Sequence, residues 1–430
     1  MPAAPSLLIV PYRSKTGKLY SQIPTSGAGD FTVTRNTEAR RFNSAGLIAS
    51  VASGIPRLDY YTSGGTAGCP ALLVEPAGTN SILQSTDSAS GWTLSNSMTR
   101  ATIDVIGVSG VNLTVGTSGS IGSTGSRYTS PLLTPALNLA SGSTYTISFF
   151  LKKTTTHTIG GYYATIGGAA AGDLGGGFDV SGSFSSGSIY NSALTTNRIR
   201  RVERWGTDVF RCSETFTMTA SGTIERINLG VLTAVNSTTV APTGTTMGFA
   251  APQLELGSVP TSFIPTTAGT GSRSADVISV SGAVSGSIGQ TEGTIYAEFV
   301  NTLVASYAES YMYRVFADAN NEIWARKEGG GNTYSFRWRA NSQNTNFLNV
   351  AVPNGVSKIA FGYKSGDTAL FLNGSQVATT NTDVRAFSVN PTTIALGSTS
   401  SGQFFNDRIR AVALYTTRLT NPELATLTTL

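Results

Sequence analysis

Charge is scarce in this chain: 12% of its 430 residues are Asp, Glu, Lys or Arg, while 48 are Gly. That balance excludes long amphipathic helices, whose outer faces need a continuous charged stripe. Histidine is scarcer still. The single one, His157, ends the polar stretch Lys152-Lys153-Thr154-Thr155-Thr156-His157 and reads as an exposed turn residue rather than a catalytic base. The two cysteines, Cys69 and Cys212, have no metal-ligand spacing. Long apolar runs are missing too. Leu7 to Val10 is too short for the core of a secretory signal and has no basic region before it, and no stretch approaches a transmembrane span. With 29 basic against 24 acidic residues, the charge of +5 is slight and gives no stripe for nucleic acid. The local exception is Arg198-Ile199-Arg200-Arg201-Val202-Glu203-Arg204-Trp205, which fits a strand with a charged outer face; a polyanion contact stays open as its alternative.

What the chain does have is Thr, Val, Ile, Tyr and Phe in short runs between Gly and Ser clusters, the pattern of many short strands. The predicted fold class is all-β, an N-terminal arm followed by two antiparallel β-sandwich, jelly-roll domains. The arm covers residues 1–59 and holds strand candidates at Leu7 to Val10 and Phe31 to Arg35, with a helical turn at Thr37 to Arg41. It is too poor in apolar residues to fold alone, so it is expected to dock on the next domain, a sister chain or a larger particle. Its deletion is expected to leave the sandwiches folded. The second unit, 60–267, carries strands at Ala71 to Glu75, Asn112 to Val115, Thr144 to Lys152, Tyr162 to Ile166, Val209 to Thr219, Ile224 to Leu232 and Met247 to Leu256. Within Thr144 to Lys152, Tyr145, Ile147, Phe149 and Leu151 share one face, as over a core. Residues 268–275 have the Gly, Thr and Ser composition of a flexible linker. The third unit, 276–430, reads as strands from Gly293 onward, with a hairpin at Asn373-Gly374 and a short helix capped by Thr420 and Glu423.

A hydrolytic site needs an acid and a base on one face, and the candidate carboxylates do not supply them. Glu292 precedes its strand, while Glu322 and Glu328 flank a hairpin; all of these, with Glu298, read as solvated edges. Trp324 shares a strand face with Glu322 and Arg326, and Trp338 points inward with Phe336. Trp324, Arg326 and Asn332, around the mobile glycine loop Lys327 to Asn332, are the candidate glycan-binding residues, because an aromatic face beside donors suits a sugar ring.

Two resemblances sharpen this reading. Gly46-Leu47-Ile48, Ile55-Pro56-Arg57-Leu58-Asp59-Tyr60, Cys69-Pro70-Ala71-Leu72-Leu73-Val74-Glu75-Pro76 and Trp92 occur in that order, followed by Phe210-Arg211-Cys212 and the phrase Gly248 to Thr266. Over roughly the first two thirds of the chain they resemble virion surface proteins of tailed bacteriophages that carry a carbohydrate-module-like β-sandwich. The third unit resembles the concanavalin A-like, laminin-G-type jelly roll through Gly293-Thr294-Ile295-Tyr296-Ala297-Glu298, Ala369 to Gly374, Ile394 to Gly397 and Arg408 to Tyr415.

These resemblances imply a structural virion protein, a head or tail fibre, spike or decoration subunit, and not an enzyme. The alternatives are a dedicated glycan-binding adhesin for receptor recognition and, behind it, a polysaccharide depolymerase. They further imply attachment to other virion proteins through the arm, a homo-oligomer with a trimer favoured, a host surface glycan as ligand, and neither nucleic-acid binding nor membrane insertion. Assembly in the host bacterial cytoplasm predicts two buried thiols rather than a disulfide. Related lectin-like sandwiches bind calcium, which makes Asp318, Asn320 and Asp407, with Asn321 beside them, the weak metal candidates; no other cofactor is expected.

Overall fold

Short alternating runs bounded by glycine and proline condense here almost wholly into strands. The computed structural model describes residues 4–60, 68–86, 91–122, 125–130, 136–155, 157–167, 172–182, 184–190, 193, 195–301, 309–329, 333–399 and 402–430. Among the described residues, four large antiparallel sheets pack as two sandwiches. No helix in them is long and apolar enough to cross a membrane.

In the middle sandwich, one sheet carries Tyr128–Thr129, Gly222–Val231, Ile159–Gly167, Gly172–Asp179 and Ser186–Tyr190 in that spatial order. Its partner is ordered Thr99–Val105, Val108–Thr114, Thr246–Leu256, Thr144–Lys152, Val209–Met218 and Thr195–Arg204. Tyr145, Ile147, Phe149 and Leu151 enter the shared core with Tyr162 and Ile166, as their alternation requires. Phe150 faces the other way and meets the Trp205 ring edge-on at 5.2 Å.

The C-terminal sandwich is built from distant parts of the chain. Glu292–Asn301 and Asp407–Tyr415 are central to one sheet, which also takes in Ala71–Val74, Leu58–Asp59 and Leu7–Ile9. Leu7 lies opposite Leu414. The facing sheet runs from the hairpin Ser14–Lys15 and Lys18–Leu19 through Phe31–Thr34, Val277–Ser281, Thr393–Leu396, Ser310–Asp318, Asn321–Lys327 and Thr333–Ala340 to Gln343–Ala351. Leu7, Ile9, Leu19, Phe31 and Val33 are therefore core residues of this sandwich. The arm supplies strands to both sheets of the last unit and also packs on the middle sandwich, Phe42 meeting the Trp205 ring at 4.6 Å and Ile48 N–H donating to the Ile106 carbonyl at 2.8 Å, so it is not a removable appendage.

Three local expectations are corrected. Ala71–Val74, placed by sequence in the middle unit, pairs with Asp407–Tyr415. The Thr37 to Arg41 turn is extended: Ala39–Phe42 pairs with Ile48–Val51, since Ala39 and Phe42 both need burial and a strand hairpin supplies it. The linker ends in a strand, Gly271–Arg273, paired with Gly78–Asn80, and Arg273 is buried. Two others are observed as read. Asn373 and Gly374 adopt φ of +48° and +85° at their hairpin, and Asn421–Thr428 is a helix closed by the Thr420–Glu423 capping box.

Candidate functional site

The residues singled out on the C-terminal jelly roll divide. Trp324 has no exposure and cannot receive a sugar. Its ring is covered on the outer sheet face by the guanidinium groups of Arg326 at 4.8 Å and Arg337 at 4.6 Å, and its Nε1 donates to Glu322 Oε1 at 3.2 Å. Alternation placed Trp324 outward correctly. It did not reveal that long arginines from neighbouring strands would fold over it. Arg326 is held by Glu309 and Glu328 at 2.8 and 3.0 Å. Asn332 lies outside the described residues. Trp338 is buried in the core, as its parity indicates.

The calcium candidates do not converge. Asp318 Oδ1 accepts the Asn320 backbone N–H at 2.7 Å, and both its oxygens take the Asn321 amide, so turn chemistry occupies this cluster. Asp407 is buried toward the opposite end of the strand Ser310–Asp318, where Phe404 bridges Tyr311. Nine residues of strand put about 26 Å between those ends.

Other side chains also depart from expectation. Cys212 is buried but Cys69 is exposed. His157 is half-buried, with Nε2 facing the carbonyls of Leu232 and Ile159 at 2.8 and 3.0 Å. Glu292 opens its strand rather than preceding it, and Glu322 is buried against Arg314 at 2.7 Å instead of solvated. Arg198 and Arg200 turn inward from their strand onto the fully buried Glu214, Arg200 Nε lying 2.9 Å from Oε2. Arg198 also donates to the Tyr190 and Gly175 carbonyls of the facing sheet, at 2.6 and 3.0 Å, so charge bridges the two sheets along this edge.

Where arm, middle sandwich and linker meet, the chain buries a lattice of ions that composition gave no hint of. Asp276 receives Arg35 at 3.0 Å and also Arg57; Arg57 reaches Glu75 at 2.5 Å; Arg273 meets the same carboxylate at 3.0 Å. Ser262 Oγ donates to Glu75 Oε2 at 2.7 Å. Burial alone would raise the Glu75 pKa, but the Arg57 and Arg273 guanidiniums hold it well below the usual carboxylate range. Glu255 nearby is raised instead: burial dominates there, and Thr261 and Arg211 offset only part of it. Each arginine of this lattice is paired with a buried carboxylate, which makes it a clasp between the segments.

An open site lies elsewhere, on the outer face of the middle sandwich. Tyr162, Ala164 and Ile166 point into the core and Thr165 faces outward; Tyr163, only 8% exposed and packed against the Tyr190 ring at 5.1 Å, borders the same outer groove. Register aligns Thr93, Thr129, Asn228 and Tyr163 in one row across four strands. Above that row is a cavity of about 620 Å³, also lined by Arg127, Glu225 and Arg226. The floor is preset. Thr129 Oγ1 donates to Asn228 Oδ1 at 2.7 Å, Asn228 Nδ2 donates to the Tyr163 carbonyl at 3.3 Å, and Tyr163 OH donates to Asp173 at 3.0 Å. Burial raises the Tyr163 pKa, so its phenol stays a neutral donor. Arg127 Nη1 donates to the Gly122 carbonyl at 3.0 Å. Glu225 and Arg226 are exposed and form no ion pair among the described residues.

The sequence reading passed over this groove, although a signal was present. Ile224-Glu225-Arg226-Ile227 places two polar residues side by side where strict alternation would place one. The register between this strand and Ile159–Gly167 shifts there, as a β-bulge demands, and both side chains turn out to solvent.

Comparison with known proteins places the C-terminal part in a class. Residues 280–425 match the family described as the concanavalin A-like lectin/glucanases superfamily, so this sandwich is a concanavalin A-like, laminin-G-type jelly-roll domain. No curated protein matches the chain. Among solved structures, it is similar to the Ruminococcus gnavus IT-sialidase CBM40 bound to alpha2,3 sialyllactose, at 17% identity over 33% of this chain and 84% of that one, TM-score 0.29. It is similar to domain 4 of AbnA, a GH43 extracellular arabinanase from Geobacillus stearothermophilus in complex with arabinotriose, at 16% identity over 36% and 73%, TM-score 0.30. It is also similar to domains LG4-5 of the mouse laminin alpha1 chain, at 11% identity over 66% and 86%, TM-score 0.23.

Proposed function

We propose that this chain is a non-catalytic glycan-binding protein of a bacteriophage virion, a fibre, spike or decoration subunit that contributes to host-surface attachment. The observation that carries the binding half is the groove over Asn228 and Tyr163. Its volume of about 620 Å³ falls in the range of small-molecule sites. A sugar presents both donors and acceptors in close succession, and the groove answers with the Glu225 carboxylate, the Arg127 and Arg226 guanidiniums and the Asn228 amide. These groups bind without supplying chemistry. Glu225 is the carboxylate among the lining residues, and Asp173 at the floor is engaged by the Tyr163 hydroxyl, whereas a glycosidase needs two carboxyl groups facing the scissile bond.

The virion half rests on the phage-like phrases at 46–92, 210–212 and 248–266. Because the strands Leu7–Ile9, Lys18–Leu19 and Phe31–Thr34 are spent on the jelly roll, attachment to other virion proteins falls to the edge strand Ser14–Lys15 and to the exposed Tyr12. A homotrimer would multiply weak single sites by avidity. The runner-up reading, a dedicated receptor adhesin, uses the same groove and differs only in how the chain is carried. The test is a glycan array probed with the whole chain and with Asn228→Ala and Arg127→Ala. Retention of defined oligosaccharides that both substitutions weaken about tenfold or more supports the reading. An array with no retained glycan, or retention indifferent to both substitutions, removes the groove as the site.

A further inference from the structure

A second face is prepared for a ligand of different charge. On the outer surface of the C-terminal jelly roll, register aligns Arg314, Trp324, Arg337 and Asn346 in one row, and Phe316, Glu322, Arg339 and Asn344 in the next. Four arginines, counting Arg326, gather on this face, and two of them, Arg326 and Arg337, lie over the buried Trp324 ring. Two are neutralised: Arg314 by Glu322, and Arg326 by Glu309 and Glu328. The other two are not. Arg337 donates from Nε to the neutral Asn346 Oδ1 at 2.8 Å and forms no ion pair among the described residues. Arg339 stands beside Glu322 in register without an ion pair to it, and its buried Nε meets no acceptor. A buried donor left unmatched costs stability unless something supplies the acceptor. Burial and the Arg326 charge also lower the Arg337 pKa, the condition in which an arriving anion relieves repulsion.

We propose that Arg337 and Arg339 form an oxyanion site, which takes the carboxylate or sulfate groups of an acidic polysaccharide. The two side chains leave one face of the same strand two residues apart, about 7 Å, a spacing that lets two guanidinium forks grip one anionic group or two successive ones. Trp324 acts as the platform. By stacking beneath Arg326 and Arg337 it fixes their planes and limits the freedom lost on binding. Uncharged sugars have no reason to choose this face, so the site is separate from the groove over Asn228.

The experiment measures binding of the whole chain to polygalacturonate, dextran sulfate and neutral dextran at low and raised salt. Expected are salt-sensitive binding to at least one acidic polymer, none to dextran, and a loss of about tenfold or more in Arg339→Gln. Which polymer binds tells carboxylate from sulfate. Arg339→Gln leaves the Trp324 stack in place, so it is read even where Arg337→Gln disturbs folding. Arg410→Gln, on the opposite sheet, removes the same charge and is expected to bind like the parent. Absence of binding to either acidic polymer, an Arg339→Gln chain that binds like the parent, or an equal loss in Arg410→Gln overturns the proposal. Loss of acidic-polymer binding in Asn228→Ala would move the contact to the groove and overturn it as well, whereas failure at Arg339 alone leaves the groove reading intact.

Discussion

Replacing Arg57 by Met leaves two buried carboxylates without the cation they share. Arg57 has no exposed side-chain surface, and Glu75 and Asp276 retain 6% and 2%. It also donates to Ser262 Oγ at 2.8 Å and to the Arg40 carbonyl at 3.3 Å. Breaking a buried pair from one side costs about 3–5 kcal/mol, because the abandoned charge cannot return to water. Arg35 still reaches Asp276 and Arg273 still reaches Glu75, which sets the expectation at the lower end, about 3 kcal/mol. The assay is denaturant unfolding followed by far-ultraviolet circular dichroism. Acid gives the second readout. Glu75 titrates in the folded chain well below its ordinary 4.5, so its contribution is complete above that pH and is lost as pH falls toward the folded value. The stability gap between parent and Arg57→Met is therefore expected to narrow below pH 4.5. A loss under about 1 kcal/mol, the scale of an exposed pair, together with a gap independent of pH, would refute the clasp.

Other consequences are equally direct. Burial, opposed by Asp407 and reinforced by Arg201, brings the Lys327 ammonium from 10.5 down to about 8, so the unfolded chain holds more protons between those values and stability should rise with pH across that window. Lys327→Met should be more stable than the parent at pH 7 and lose that rise; unfolding midpoints at pH 7 and pH 10 decide it. Removal of residues 1–59 takes core residues such as Leu7 and Phe31 from the jelly roll and strips Arg35 and Arg57 from the clasp. The shortened chain should lose the cooperative transition of the jelly roll, while the middle sandwich, whose core takes no residue from the arm, still melts. A melt matching the parent's would show that the arm is dispensable to the fold.

Strand positions were legible because alternation is local: Tyr145, Ile147, Phe149 and Leu151 declare their shared face within nine residues. Strand partners were not, since nothing near Leu7 says that it will lie against Leu414. The same limit explains the buried ions. Arg35, Arg57, Glu75, Arg273 and Asp276 come from four separate stretches, and singly each looks like an ordinary surface charge. At Trp324 the outward direction was readable but the cover was not, because it comes from Arg337 on the next strand. At the groove, Glu225-Arg226 was a visible fault in the alternation, and only the sheet brings Thr93, Thr129, Asn228 and Tyr163 into line behind it.

Binding without cleavage is the central claim, and one measurement meets it directly. The whole chain is incubated with the oligosaccharide that the array selects, and bound ligand and newly formed reducing ends are quantified in the same samples over time. Saturable binding that Asn228→Ala weakens, with reducing ends no higher than in a protein-free control, is the predicted result. Reducing ends that accumulate with time and vanish in Glu225→Gln would contradict it and make this groove an active site.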